Sequence, residues 1–240
     1  MSRMKINKCC LTNRTVGRGH MVGSGILLLF LFYSMIFLVG CQLKELEERE
    51  FPLTVSFDLS NQEEIESIFT FSDVAMVTQS DMSIEREEID QLPKLTGKTM
   101  DDILELHYRS SEKYLDLGHV QAIILGKALI TNQDTFKEIL LYLESNEVFA
   151  RNVLLFIADK STDEVMKVNG VSVDSLGAYL GEIYKNNPYL DKKESVTLGD
   201  LLNYWHNGEE RLAVPIISII NEKPVIASYG NFEYFEYKGE

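Results

Sequence analysis

Apolar and polar residues alternate between Pro52 and Ser60. Leu53, Val55, Phe57 and Leu59 stand against Thr54, Ser56, Asp58 and Ser60. Period two is the mark of a half-buried strand. Ile68–Phe71 and Val74–Val77 are further strand candidates. The polar, acidic stretch 79–94 reads as a loop, with room for a short helix around Ile84–Leu92. The period then lengthens. Thr99 stands where a helix N-cap belongs, with Asp101 and Asp102 suited to the positive helix end. Met100, Ile103, Leu104, His107, Tyr108, Ser111 and Tyr114 recur at helical spacing, as one mostly apolar face that Gly118 ends.

Two runs are apolar throughout: Val120–Leu125 (with Gln121 the exception) and Val153–Ala158. Such runs fit strands covered on both faces, in a sheet with helices packed on it. Between them Phe136, Ile139, Leu140 and Leu143 mark a helix. Strand, helix, strand in this order implies a βαβ unit with parallel strands. Ser161-Thr162-Asp163-Glu164 reads as a capping box opening a short helix. Leu176, Tyr179, Leu180, Ile183 and Tyr184 form another helical face, and Thr197 caps a helix holding Leu198, Leu201, Leu202 and Trp205. Val214–Ile220 and Val225–Tyr229 read as a hairpin joined by 221–224, and Phe232–Tyr237 as a last strand. The fold class is therefore α/β: a mixed β-sheet with helices packed on its faces.

The amino-terminal 40 residues do not belong to that fold. Arg3, Lys5, Lys8, Arg14 and Arg18 precede an apolar run from Ile26 to Val39, and no acid occurs before Glu45. The run is short of the roughly 20 residues that span a bilayer. A basic start, a short apolar core and small residues at its end form an export signal. Here the end is Leu38-Val39-Gly40-Cys41, which makes it a lipoprotein signal: cleavage between Gly40 and Cys41, and acylation of the Cys41 thiol. Two acyl chains, at roughly 0.8 kcal/mol per buried methylene, anchor a protein stably. The expected organisation is a signal peptide at 1–40, a charged tether at 41–50 and a domain at 51–240.

Charge and cysteine content narrow the function. The chain has 23 Lys and Arg against 37 Asp and Glu, a formal net charge of −14, and processing would remove five of the cations. A surface that acidic argues against nucleic acid, and against binding anionic headgroups through charge. With Cys9 and Cys10 in the signal and Cys41 acylated, the processed chain has no disulfide to rely on and must stand on a hydrophobic core.

No catalytic constellation emerges. His107, His119 and His206 are far apart and form no metal-ligand pair; His107 reads as a core histidine. No G-x-S-x-G or glycine-rich phosphate cradle is present, and no cysteine is left as a nucleophile. Asp101-Asp102 reads as a helix start and Glu209-Glu210 as a solvated turn. No enzyme activity, cofactor, metal or nucleic acid is expected. The aromatics gather late in the chain. Tyr and Trp suit protein interfaces, being apolar at one end and polar at the other. The last strand has two readings, core packing at a sheet edge or a partner-contact surface at Phe232, Tyr234, Phe235 and Tyr237.

The order of these pieces resembles the Ger(x)C family, the C-subunit lipoproteins of bacterial spore germinant receptors. The residues carrying the likeness are Cys41 followed by Lys44-Glu45-Leu46, then Thr96-Gly97-Lys98-Thr99-Met100, and above all Ser110-Ser111-Glu112-Lys113-Tyr114-Leu115-Asp116-Leu117-Gly118-His119-Val120-Gln121. Ile123–Lys127, Glu147–Ala158, Val196–Leu202 and Ala213-Val214-Pro215 continue it. Gln42-Leu43 replaces the aromatic-acidic pair usual after the lipidated cysteine. The family's second, C-terminal region is not found before Glu240. The resemblance implies a non-enzymatic receptor subunit, lipid-anchored to the outer face of the spore inner membrane. Integral-membrane A and B subunits would be its partners, and receptor assembly and germination signalling its task. A solute-binding or envelope-scaffold lipoprotein is the alternative, and would need a cleft with convergent polar groups.

Overall fold

The computed structural model describes residues 33, 48–71, 94–168, 176–190, 195–208, 211–233 and 236–239. The chain divides into two units, Met1–Lys44 and Glu45–Glu240; all elements below lie in the second. In chain order they are β1 (Arg49–Glu50), β2 (Pro52–Leu59), β3 (Ile65–Phe71), β4 (Lys94–Gly97), α1 (Met100–Ser110), β5 (Tyr114–Leu115), a 3-10 turn (Leu117–His119), β6 (Ala122–Leu125) and α2 (Lys127–Thr131). Then follow α3 (Gln133–Ser145), β7 (Leu154–Ala158), α4 (Thr162–Met166), α5 (Leu176–Asn186), α6 (Leu198–Asn207), β8 (Arg211–Ile220), β9 (Lys223–Glu233) and β10 (Glu236–Gly239). The strand candidate Val74–Val77 and the helix around Ile84–Leu92 lie outside the described residues.

Eight strands form one mixed sheet in the order β10-β9-β8-β7-β6-β2-β3-β4. Its middle is a parallel block: β2 beside β6, β6 beside β7, β7 beside β8. An antiparallel arm extends it on each side. β1 and β5 form a separate parallel pair. The two apolar runs are the central strands, as the sequence predicts, and the helix between them makes the βαβ unit.

Alternating side chains of the central strands feed two cores. On one face Val55, Phe57, Ile123, Leu125, Leu155, Ile157, Val214 and Ile216 meet Ile103, Leu129, Ile139, Leu143, Leu198 and Leu202 from α1, α2, α3 and α6. On the other, Ile68, Ala122, Ile124, Phe156, Ala158 and Ile217 meet Val165, Met166, Leu176, Leu180 and Ile183 from α4 and α5. Burying each large aliphatic side chain stabilises by about 1.5–3 kcal/mol. The arrangement has three layers, with helices on both faces of the sheet.

β2 departs from the half-buried strand its alternation predicts. Thr54 and Ser56 are as buried as Val55 and Phe57. The reason is the helix above them. A Cβ on Gly177 of α5 would lie 2.5 Å from the Leu53 carbonyl oxygen and 2.8 Å from Thr54 Oγ1. Small polar side chains on the strand and a glycine on the helix let the two backbones approach. Period two here records size, not exposure.

Two helix starts are built as the sequence suggests, while Ser161 caps α4 by accepting from the Asp163 amide and forms no capping box with Glu164. Thr99 Oγ1 accepts from the Asp102 amide at 3.2 Å while Asp102 Oδ2 accepts from the Thr99 amide at 3.0 Å. Thr197 and Asp200 repeat the exchange. Losing such a cap costs roughly 0.5–2 kcal/mol. α1 ends at Ser110, before Tyr114. Ser110 Oγ turns back to the Leu106 and His107 carbonyls, and Ser111 Oγ accepts from the Lys113 amide. These hydroxyls satisfy the helix end and release the chain into β5.

The carboxyl-terminal hairpin is tighter than expected. Only Asn221 and Glu222 form its turn, with φ of 51° and 60°, the left-handed pair that matches strand twist. The segment read as one last strand belongs to two. Phe232 is next to last in β9, and Tyr237 of β10 pairs back with it.

Candidate functional site

Ligands of open α/β sheets bind at the carboxyl ends of the strands. In this protein that end is occupied by a polar clasp. Asp58, next to last in β2, accepts from the Leu59 amide at 2.9 Å through Oδ1 and from Thr162 Oγ1 at 3.2 Å through Oδ2. Burial pushes its carboxyl above the usual carboxylate range, and the hydrogen bonds from Leu59 and Thr162 oppose that shift. Gly126 follows β6 beneath it; a Cβ there would fall 1.9 Å from Asp58 Oδ1, so only glycine admits the carboxylate. Asp159 follows β7. Its Oδ2 accepts from Ser218 Oγ at 2.8 Å and its Oδ1 from Lys127 Nζ at 3.1 Å. Those two donors, Ser218 first, hold Asp159 below the usual carboxylate range. Both oxygens of Asp159 are engaged, so the group serves as a tie between β7, β8 and α2. A pocket of about 260 Å³ beside it is lined by Asp159, Lys160, Glu164, Val165, Ser218 and Ile220 among others.

The amino ends of the parallel strands are built differently. β1 enters the domain alongside β5, with Arg49 opposite Tyr114 and Glu50 opposite Leu115. The Asp116 amide donates to the Glu50 carbonyl at 2.8 Å, and Arg49 Nη1 lies 3.0 Å from Asp116 Oδ2. Under this pair sits His107, 6% exposed. Its Nε2 is 3.7 Å from Glu50 Oε2, and its ring meets Phe69 and Tyr108 edge-on. Burial lowers its pKa, against the smaller opposing pull of Glu50. Tyr108 and Tyr114 stack with ring centroids 5.8 Å apart and planes 13° apart. Phe51 meets His119 edge-on at 4.7 Å. Val148, exposed, lies over the 3-10 turn, its Cγ1 3.6 Å from where a Gly118 Cβ would be.

The residues singled out from sequence fare unevenly. Gly40, Cys41, Tyr234 and Phe235 lie outside the described residues, and of Tyr237 only the backbone pairing is described. Phe232 is corrected. It is 1% exposed, stacked on Phe136 at 5.9 Å and edge-on to Tyr204 at 6.5 Å. It packs the core and offers no surface for contact. Tyr108 and Tyr114 are corrected in the other direction: both are exposed, not part of an inner helix face. His107 is a core histidine, as read. His206 Nε2 lies 2.6 Å from Glu144 Oε1 at the surface. Among the described residues no three His, Cys, Asp or Glu are grouped to hold a metal ion, and no helix is long and apolar enough to cross a membrane.

A family model described as "Spore germination protein N-terminal domain" matches residues 42–219. The chain belongs to that family. The match begins at the residue after Cys41 and runs through β8. A solved structure titled "Crystal Structure of the GerBC protein" is similar at 14% identity, with a TM-score of 0.37, over 77% of this chain and 50% of that one. The chain thus spans half the length of the GerBC chain it matches. No curated protein matches.

Proposed function

We propose that this chain is a non-enzymatic subunit of a spore nutrient-germinant receptor, of the C-subunit kind. It is held through acylated Cys41 on the outer face of the spore inner membrane, beside integral-membrane A and B subunits. Its work is receptor assembly and transmission of the germination signal. The observation that carries this reading is where the family match starts. The family match begins at residue 42, the residue after the cysteine that the signal pattern marks for acylation. The polar clasp at the strand ends supports a structural role, since its carboxylates are taken up by Leu59, Thr162, Ser218 and Lys127.

A solute-binding lipoprotein would need a cleft of roughly 300–1,000 Å³, and two pockets lined by described residues measure about 260 and 210 Å³. The test is Cys41→Ala in the native host. The variant is expected to lose acyl labelling, to leave the membrane fraction and to slow nutrient-triggered germination while growth stays normal. Unchanged labelling and retention on the membrane would overturn the anchor.

A further inference from the structure

Exposed large apolar side chains are few among the described residues of the domain, and three of them lie on or against neighbouring elements at one end of it: α1, β5 and the 3-10 turn. Tyr108 is 44%, Tyr114 38% and Val148 46% exposed. The two tyrosines stack on each other, and Val148 lies on the 3-10 turn that begins three residues after Tyr114. This is also where the chain from Cys41 arrives, because Arg49 of β1 is the register partner of Tyr114. Eight residue steps separate Cys41 from Arg49, a reach of at most roughly 25–30 Å. An acyl group on Cys41 therefore keeps this end of the domain within that distance of the bilayer, whatever path the tether takes.

We propose that the Tyr108–Tyr114–Val148 patch rests on the bilayer interface and orients the domain, with the amino ends of the parallel strands towards the membrane and the Asn221–Glu222 hairpin away from it. The inference rests on the lipid anchor at Cys41 proposed above. Tyrosine suits that place: its ring enters the acyl boundary while its hydroxyl stays among headgroups. The patch is too small to hold a protein on a membrane alone, but a tethered domain needs only a bias between orientations. The tether supplies the high local concentration of lipid that makes a weak contact count.

The processed chain has no cysteine other than the acylated Cys41, so a second cysteine can carry a nitroxide. The lipidated protein is placed in vesicles of phosphatidylethanolamine with a minor share of phosphatidylglycerol. The label sits at Lys113→Cys, beside the patch, or at Ile220→Cys, an exposed position at the far end of the strands. The label at 113 is expected to show a severalfold higher ratio of oxygen to nickel-chelate collisions than the label at 220. Adding Tyr108→Ser and Tyr114→Ser should remove the contrast while circular dichroism stays unchanged. Equal ratios on a protein that remains bound to vesicles overturn the orientation and leave the anchor standing. Loss of the protein from the vesicles overturns both. A contrast that survives the two serines, or that fades as lipid is added in excess, assigns the patch to another contact or to a second copy, and overturns the bilayer.

Discussion

The two ends of the parallel strands are made to opposite plans. At the carboxyl ends, Asp58 is drawn inward, and both Asp58 and the more exposed Asp159 are tied by hydrogen bonds to neighbouring elements. At the amino ends the polar ties of β1 and β5 lie beside exposed tyrosines. In many α/β proteins the carboxyl end holds the ligand. Here that end carries hydrogen-bonded carboxylates beside a pocket of about 260 Å³, and the exposed aromatic side chains Tyr108 and Tyr114 stand at the opposite end. The contrast separates an end tied by part-buried hydrogen bonds from one that exposes aromatic rings.

Two glycines test the plans directly, one at each end. Gly177 faces backbone: a Cβ would meet the Leu53 carbonyl at 2.5 Å, and neither α5 nor β2 can yield without shifting. Gly177→Ala is expected to cost about 2–3 kcal/mol in urea unfolding, at the upper end for overpacking. A variant as stable as the parent would show that α5 does not press on β2. Gly126 faces a side chain, Asp58, which can swing away by giving up its hydrogen bonds. Gly126→Ala should therefore cost less, about 1–2 kcal/mol. Its effect should also be less than additive with Asp58→Ala, because the two changes break the same contacts. Additive losses would place the strain elsewhere.

Asp159→Asn is expected to cost about 1 kcal/mol or less, given the exposure of its side chain. Its pKa is lowered in the fold, so the native state binds fewer protons than the unfolded chain near the ordinary carboxylate pKa. The stability it contributes is present above that value and lost as pH falls through the folded one. The Asn variant should flatten the acid side of the stability profile. An unchanged slope would remove Asp159 from the clasp.

His107 gives the smallest effect, at the other end. Its pKa is also lowered, by burial. Its contribution is complete above about 6.5, the ordinary value of histidine, and is lost as pH falls from there through the folded pKa. His107→Leu should reduce the loss of stability in that window. A steeper loss would mean that a charged His107–Glu50 pair holds β1 in place.

What the sequence discloses depends on how the fold encodes it. β6 and β7 are legible because both faces are apolar. α1, α3, α5 and α6 are legible from helical period and caps. β1 and β5 are not, since strands of two residues carry no period. The exposure of β2 is misread because small polar residues stand under a glycine-bearing helix. Tyr114 falls on a helical spacing that the chain abandons at Ser111, whereas Tyr108 stands on α1 beside its buried residue His107 but outside its buried face. Phe232 looks like part of an aromatic strand until the reversal between β9 and β10 is known. The clasp is invisible because its members are distant, Asp58 and Thr162 standing 104 positions apart and Asp159 and Ser218 59 positions apart. Only the pattern of acid or lysine just after an apolar strand, as in Gly126-Lys127 and Asp159, could have pointed to it. Gly40 and Cys41 rest on the signal pattern and on the start of the family domain at residue 42.

The account turns on what the cell makes of Cys41. Mass spectrometry of the amino-terminal peptide from the spore membrane fraction measures it directly. The account predicts a chain that begins at Cys41 with diacylglycerol on its sulfur. A chain that retains residues before Cys41, with a free thiol there, would contradict it.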